Sequence, residues 1–457
     1  MPPDSPQHSD LDAFLTAACV PHGAGSPSHV SGTLKEAEAI RAAHPEVASS
    51  DLRAAAVLGD AEAVRRFLRE DPGSATRKGG VHGWDPLTYL CFSRYLRLDP
   101  SRAAGLLAAA RALLDAGASA TTGFLEMEHQ PDPEFESVLY GAAGIAHHAG
   151  LTQLLLERGA DPNDGEVPYH APEGYDNEAL AVLVESGKLT AESLSWMLLR
   201  KADWHDVDGL RYLLDHGADP NRVSRFGFTA LHQALRRDNA LETVALLLDR
   251  GADPAAVTRR DGATAVAIAA RRGRGDVLDL LERRGVAVDL RGVERLIAAC
   301  ARGDGASVRL LAEREPALVR ELVGQGGTLL AEFAGNGNAE GVTLLLDLGV
   351  PVGARSEEGD AYFGVARRST ALHHAAWRAE HATVRLLIAR GAPVDLRDGE
   401  GRTPLALAVK ACVDSHWMGR RSPESVAALL GAGASTAGVP FPSGYAAVDE
   451  LVRARRR

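Results

Sequence analysis

The chain keeps returning to one short phrase. LLLERGADPN ends at Asn163, LLDHGADPN at Asn221 and LLLDRGADP at Pro254, while LLIARGAPVD ends at Asp395 and LLDAGASA at Ala120. The glycines of these segments are Gly117, Gly159, Gly217, Gly251 and Gly391. Weaker copies carry Gly187, Gly285, Gly349 and Gly433 at the same place. At three other positions the turn is built on proline: His44-Pro45, Asp71-Pro72 and Glu315-Pro316. From residue 44 to residue 433 the successive spacings run from 27 to 46 residues and average about 35. A sequence with this period builds a row of small, similar units, each of which buries its apolar face only against its neighbours.

A second landmark precedes most of these glycines by about 21 residues. Thr229-Ala230-Leu231-His232 precedes Gly251, Thr370-Ala371-Leu372-His373 precedes Gly391, and Val167-Pro168-Tyr169-His170 precedes Gly187. Thr264 and Thr328 stand in the same relation to Gly285 and Gly349. Asp85-Pro86-Leu87 and Thr403-Pro404-Leu405 lie further ahead of Gly117 and Gly433, each with an insert in the gap. A Thr, Ser or Asp before a first-turn Pro is a helix start, and a Gly after a leucine-rich run is a helix stop. Ala pairs such as Ala55-Ala56, Ala269-Ala270 and Ala375-Ala376 let helices approach closely, and the leucines supply the buried face of the second helix.

In these residues the chain resembles the ankyrin repeat family over roughly 33–440, with about 11–12 repeats or partial repeats. The resemblance implies an all-α solenoid of stacked helix-turn-helix units with projecting hairpin loops. It also implies that His232 and His373 hydrogen-bond neighbouring backbone rather than bind a metal. Aromatic residues are only 5% of the chain, which suits packing on Ala, Leu and Val. Residues 1–32 read as an N-terminal tail and linker with a short amphipathic piece from Leu11 to Cys19. Residues 441–457 read as a C-terminal capping helix. Segments 94–101, 121–136, 357–368 and 415–423 read as inserted loops, the usual place for a repeat protein to elaborate binding.

No catalytic or nucleotide-binding motif is present. Asp203, Asp206, Asp208 and Gly209 look faintly like a calcium loop, but Trp204 takes the place of a ligand. Adjacent histidines at 147–148 and 373–374 point about 100° apart on a helix and make a poor chelate. The expectation is no catalytic residue, no cofactor and no metal. An enzyme built on Tyr140, His147, Tyr169 and His170 would lack a nucleophile–base pair. The four separated cysteines, the absence of an apolar span and the polar N-terminus suggest a cytoplasmic protein away from membranes, and a monomer is expected.

By the resemblance, partners bind at hairpin tips and on the exposed side of the first helices. The two residues that follow the Ala-Ala position fall on that side. Over ten copies they include Arg236, Arg237, Arg271, Arg272, Arg302, Arg378 and Lys410: seven basic residues in 20, where the whole-chain share of 50 in 457 would give about two. The first four copies, which end at Asp203-Trp204, have none. With Trp204, Trp377 and the hairpin residues Arg225, Phe226, Phe228 and Arg260, these form a candidate partner-binding groove from about Trp204 to Lys410. Arg and Trp are enriched at interface hot spots, and Arg forks suit carboxylates and phosphates. Equally, Arg is an ordinary helix former on a wet face.

The expected function is a protein-interaction scaffold or regulator whose partner has an acidic surface. The alternative is a nucleic acid or another polyanion on the Arg face Arg236–Lys410, against which the net charge of −11 argues. Arg237→Glu with Arg272→Glu is expected to abolish partner capture and leave thermal stability nearly unchanged. The loop at 121–136 carries Glu126, Glu128, Asp132, Glu134 and Glu136 among Phe124, Met127 and Phe135. It reads as a solvated loop or as an acidic–aromatic contact arm.

Overall fold

A computed structural model describes residues 6–20, 30–127, 133–415 and 418–456. It divides into two compact units, Met1–Ser224 and Arg225–Arg457. In both, short helices run in pairs, and the strands among the described residues are confined to two small antiparallel ribbons.

In the first unit the pairs are Leu52–Leu58 with Ala61–Glu70, Pro86–Cys91 with Ala103–Asp115, and Val138–Tyr140 with Ala149–Glu157. Glu166–His170 with Glu178–Glu185, and Ala191–Asp203 with Val207–Asp215, complete it. Helices Pro6–Ala18 and Lys35–Ala43 precede them. The insert at 94–101 folds as helix Arg94–Leu98 and a following turn. The insert at 121–136 is a ribbon, Gly123–Glu126 paired with Glu134–Ser137. Glu128 and Asp132 lie outside the described residues. Phe124 stacks on Trp84 at 4.4 Å between ring centroids, while Leu125, Met127 and Phe135 are exposed.

In the second unit the first helices are Ala230–Arg236, Ala265–Arg271, Val293–Ala301, Gly326–Gly335, Ala371–Trp377 and Pro404–Val413. Their partners are Leu241–Asp249, Gly275–Arg283, Gly305–Arg314, Ala339–Asp347, His381–Ala389 and Glu424–Gly431. An additional helix, Pro316–Gly324, is inserted at the Glu315-Pro316 turn, and Ala446–Arg456 covers the last pair. The 357–368 insert is bracketed by the ribbon Arg355–Ser356 and Ser369–Thr370. His416 and Trp417 of the 415–423 insert lie outside the described residues.

The repeated landmarks do the work their chemistry dictates. The side chains of Asp85, Thr229, Thr264 and Thr403 accept an amide at the start of their helices. All nine phrase glycines have positive φ, from +66° at Gly187 to +101° at Gly117, the left-handed cap that a β-carbon would strain. The His232 ring spans two repeats: Nδ1 accepts from the Thr229 amide at 3.3 Å and Nε2 donates to the Ala256 carbonyl at 3.1 Å. His373 repeats this with the Thr370 amide at 3.1 Å and the Arg402 carbonyl at 3.2 Å. Ala269, Ala270, Ala375 and Ala376 are wholly buried, as are Val244 and Leu247 of the second helix.

Two caps differ from expectation. Thr328 lies inside helix Gly326–Gly335 because the extra helix Pro316–Gly324 runs directly into it. The helix Glu166–His170 begins after Gly165 and takes in Pro168. The four cysteines are buried free thiols. No helix among the described residues is long and apolar enough to cross a membrane.

Candidate binding groove

The basic residues of the second unit stand where first helices end. Arg236 and Arg271 are the last helical residues, and Arg237, Arg272, Arg302 and Arg378 are the C-caps. A cation there meets the negative end of the helix dipole, one reason for arginine at this position that needs no partner. The residue after each C-cap is left-handed: Gly273, Gly303, Gly337 and Ala379 in four copies. In the first copy it is Asp238, at φ +52°.

That aspartate gathers side chains from three other repeats. Its carboxylate takes Arg272 Nε at 2.5 Å and Arg378 Nη1 at 2.7 Å, and Asn336 Nδ2 donates to it at 3.0 Å. Arg272 also reaches Glu332 at 3.0 Å. The Asp238 side chain is 0% exposed, that of Arg378 4% and that of Arg272 13%. Burial by itself would raise the Asp238 pKa, but the two guanidiniums hold the carboxyl well below the usual carboxylate range. Burial pushes Glu332 up, with Arg272 opposing it.

The 357–368 insert lies against the same arginines. Phe363 is 7% exposed and packs with Val365, Trp377, Ala379, Leu407 and Ala411. The indole Nε1 of Trp377 donates to the Phe363 carbonyl. The Phe363 ring centroid is 4.4 Å from the Arg378 guanidinium, and that of Tyr362 is 3.7 Å from the Arg237 guanidinium. Asp360 accepts the amides of Tyr362 at 3.1 Å and Phe363 at 3.3 Å, and shares a pair of 2.9 Å backbone bonds with Val365. The insert is therefore a fixed wall.

Between this wall and the helix ends is an open groove of about 1060 Å³. It is lined by Arg236, Arg237, Arg260, Arg271 and Arg272, and also by Asp261, Glu294, Glu332, Glu358 and Asp360. Arg271 is held by Glu294 and by Gln325, the latter at 3.0 Å. Arg236 and Arg260 have no carboxylate in ion-pair contact among the described residues. Half-buried Arg236 stacks on Phe228 at 4.4 Å, and burial together with Arg272 and Arg237 lowers its pKa. Stacking holds a guanidinium plane and leaves its N–H edge available to an anion. His374 also lines the groove. Burial and the neighbouring Arg378 push its pKa down to about 3, so the ring is neutral. Its buried Nε2 has no hydrogen-bond partner among the described residues.

Of the residues expected at the partner surface, five line the groove: Arg236, Arg237, Arg260, Arg271 and Arg272. Arg225 and Phe226 are exposed nearby in sequence, with Arg225 5.2 Å from the Phe226 ring. Arg302 turns to Asp279 at 3.1 Å and Glu282 at 2.8 Å. Lys410 pairs with Asp414 at 2.6 Å and faces the Trp377 ring. Trp377 and Arg378 are buried. Trp204 belongs to the first unit, where it caps helix Ala191–Asp203 half-buried. The idea that Arg237 and Arg272 could be reversed in charge without touching stability needs correction for Arg272, whose guanidinium neutralises a buried aspartate.

Sequence reasoning missed Asp238, Glu332, Glu358, Asp360 and His374. A signal for Asp238 was present: it stands where neighbouring copies carry Gly273, Gly303 and Gly337. In the first unit, His170 sits between Glu166 at 3.2 Å and Glu173 at 3.0 Å, and Arg200 holds Glu173 at 3.0 Å. The Tyr140 and Tyr169 rings lie within 5.0 Å of it. Burial opposes its charge, yet the two carboxylates raise its pKa to about 9. This is an ion-pair cluster in which Glu166, Glu173 and Arg200 surround the ring. The faint calcium-loop residues are likewise committed: Asp206 caps a helix and pairs with buried Lys201 at 2.9 Å, and Asp203 pairs with Arg200.

A family model described as ankyrin repeats matches three times, over residues 139–258, 198–292 and 330–436. Among solved structures, the chain is 24% identical to the ankyrin repeat domain of Bcl-3, of the IkappaB protein family. That alignment covers 51% of this chain and 97% of that one, with a TM-score of 0.23. The chain is 23% identical to the ankyrin repeat domain of human ASB11, over 52% of this chain and 98% of that one, with a TM-score of 0.23. No curated protein sequence matches the chain. The family matches together cover more than half of the 457 residues, and the chain belongs to the ankyrin repeat family.

Proposed function

We propose that the chain is a protein-interaction module and that its recognition surface is the groove of the second unit, which takes an acidic side chain of a partner protein. One observation carries this reading: Arg236 and Arg260 face a groove of about 1060 Å³ with no carboxylate of the described chain paired to either. Burial first, and then the neighbouring Arg272 and Arg237, lower the Arg236 pKa, and an arriving anion offsets the repulsion among the three arginines. Ankyrin repeats generally mediate protein–protein contacts, which supports the choice of a protein over a small molecule. A polyanion fits less well, because five carboxylates line the same groove and interrupt any positive track.

The test is capture of partners from the native cell by the wild-type chain and by Arg236→Glu with Arg260→Glu. A partner retained by wild type and lost by the double variant, at equal melting temperature, supports the groove. Equal retention by both defeats it.

A further inference from the structure

The groove presents charges of both signs that are in no ion-pair contact among the described residues. Among the described residues, neither Arg236 nor Arg260 is in ion-pair contact with a carboxylate, and the side chains of Glu358 and Asp360 form no ion pair, although Asp261 and Asp360 attract Arg236 from a distance. Asp360 lies close enough to Arg236, Arg272 and Glu332 to influence all three electrostatically. Both carboxylates come from the 357–368 insert, and the insert cannot swing aside easily. Phe363 is buried against Trp377 and Leu407, Arg402 Nη2 holds the Gly364 carbonyl at 3.2 Å, and Gly399 holds the Arg367 carbonyl at 2.8 Å. A pure polyanion that reached Arg236 would bring further negative charge beside Glu358 and Asp360, and like-charge juxtaposition rejects a ligand as effectively as a clash.

We propose that the 357–368 insert is a charge filter: Glu358 and Asp360 make the groove select a protein segment of mixed charge. An acidic side chain goes to Arg236 and Arg260, a neighbouring Lys or Arg goes to Glu358 and Asp360, and nucleic acid and all-acidic segments are turned away. This rests on the reading of the groove as the binding surface. Without Glu358 and Asp360 the lining would hold five arginines against three carboxylates, and the same groove would attract polyanions.

The variant Glu358→Gln with Asp360→Asn tests it. Asn can still accept the Tyr362 and Phe363 amides, so the wall keeps its shape. Full-length wild type, this variant, Arg236→Gln with Arg260→Gln, and the quadruple variant are titrated into fluorescein-labelled probes at about 50 mM salt, where screening is modest. The probes are a single-stranded thymidine oligonucleotide, an all-Glu/Gly peptide, an all-Lys/Gly peptide and a peptide alternating Glu and Lys, read by anisotropy. Wild type is expected to prefer the alternating peptide. The carboxylate-neutralised variant is expected to bind oligonucleotide and all-Glu peptide about tenfold more tightly, a gain of the size one strong charge contact supplies. The added Arg changes should erase that gain.

Unchanged preferences in the carboxylate-neutralised variant, or no binding of any probe at millimolar concentration, overturn the filter. If Arg236→Gln with Arg260→Gln lowers binding of the alternating peptide in that case, the groove stands without its filter. If it does not, the groove reading falls as well.

Discussion

Arg378 Nη1 lies 2.7 Å from Asp238 Oδ2, across 140 positions of sequence, and both side chains are almost wholly buried. Arg272 and Asn336 share the same carboxylate, so one aspartate holds four repeats of the second unit together. Removing one member of such a set strands the others without a counter-charge.

Asp238→Asn is therefore expected to destabilise the second unit by about 3–5 kcal/mol. Asn tolerates the left-handed backbone at this position, so the loss reports the charge and not the turn. Urea melts followed by tryptophan fluorescence measure it. A loss under about 1 kcal/mol, the range of exposed pairs, would show that the network is open to water.

Arg272→Ala and Arg236→Ala should separate cleanly, although the two arginines occupy neighbouring copies. The first leaves Asp238 and Glu332 under-compensated and should cost about 3–5 kcal/mol. The second breaks only a stack on Phe228 and should cost about 1 kcal/mol or less. Equal melting temperatures for the two variants would contradict the assignment of Arg272 to the scaffold.

Acid should weaken the second unit early. Burial lowers the pKa of His373 to about 4 and of His374 to about 3, against 6.5 in the unfolded chain. Between pH 6.5 and about 3 the unfolded chain binds protons that the folded one refuses. Stability thus falls as pH drops through this window and gains nothing from these groups above it. Each histidine approaches a tenfold loss in the folding constant per pH unit inside its window. His374→Gln should flatten the slope, measured as the urea midpoint between pH 4 and 7.

The ribbon of the first unit should respond the opposite way. Burial, then Glu166, raises the Glu136 pKa from 4.5 to about 8. Between those values the folded state keeps a proton that the unfolded state has lost, so stability falls as pH rises from 4.5 to 8. Glu136→Gln removes the penalty, and its stabilisation should be larger at pH 9 than at pH 5. A variant that stabilises equally at both pH values would mean that Glu136 is ionised in the fold throughout.

Much of the repeat pattern was legible in the sequence. The phrase glycines needed a left-handed cap, Thr229 and Thr403 needed a helix to begin, and the His232 and His373 rings had backbone to bridge. These are local requirements, met within one or two repeats. The site was legible only in part. The arginine row was countable in sequence, but whether a given arginine faces solvent or an aspartate was not, because Asp238 lies 34 and 140 residues from the two arginines it holds.

The sequence by itself determined the helix pairs, their caps and their period, because those depend on backbone conformation and on contacts between adjacent units. Tertiary structure alone decided which charges are committed. It buried Arg272 and Arg378 on Asp238, folded Tyr362 and Phe363 of an insert onto the arginines, and left Arg236, Arg260, Glu358 and Asp360 facing an open groove. The physical reason is that charge pairing depends on distance and on exclusion of water, and both are set by chain segments far apart in sequence.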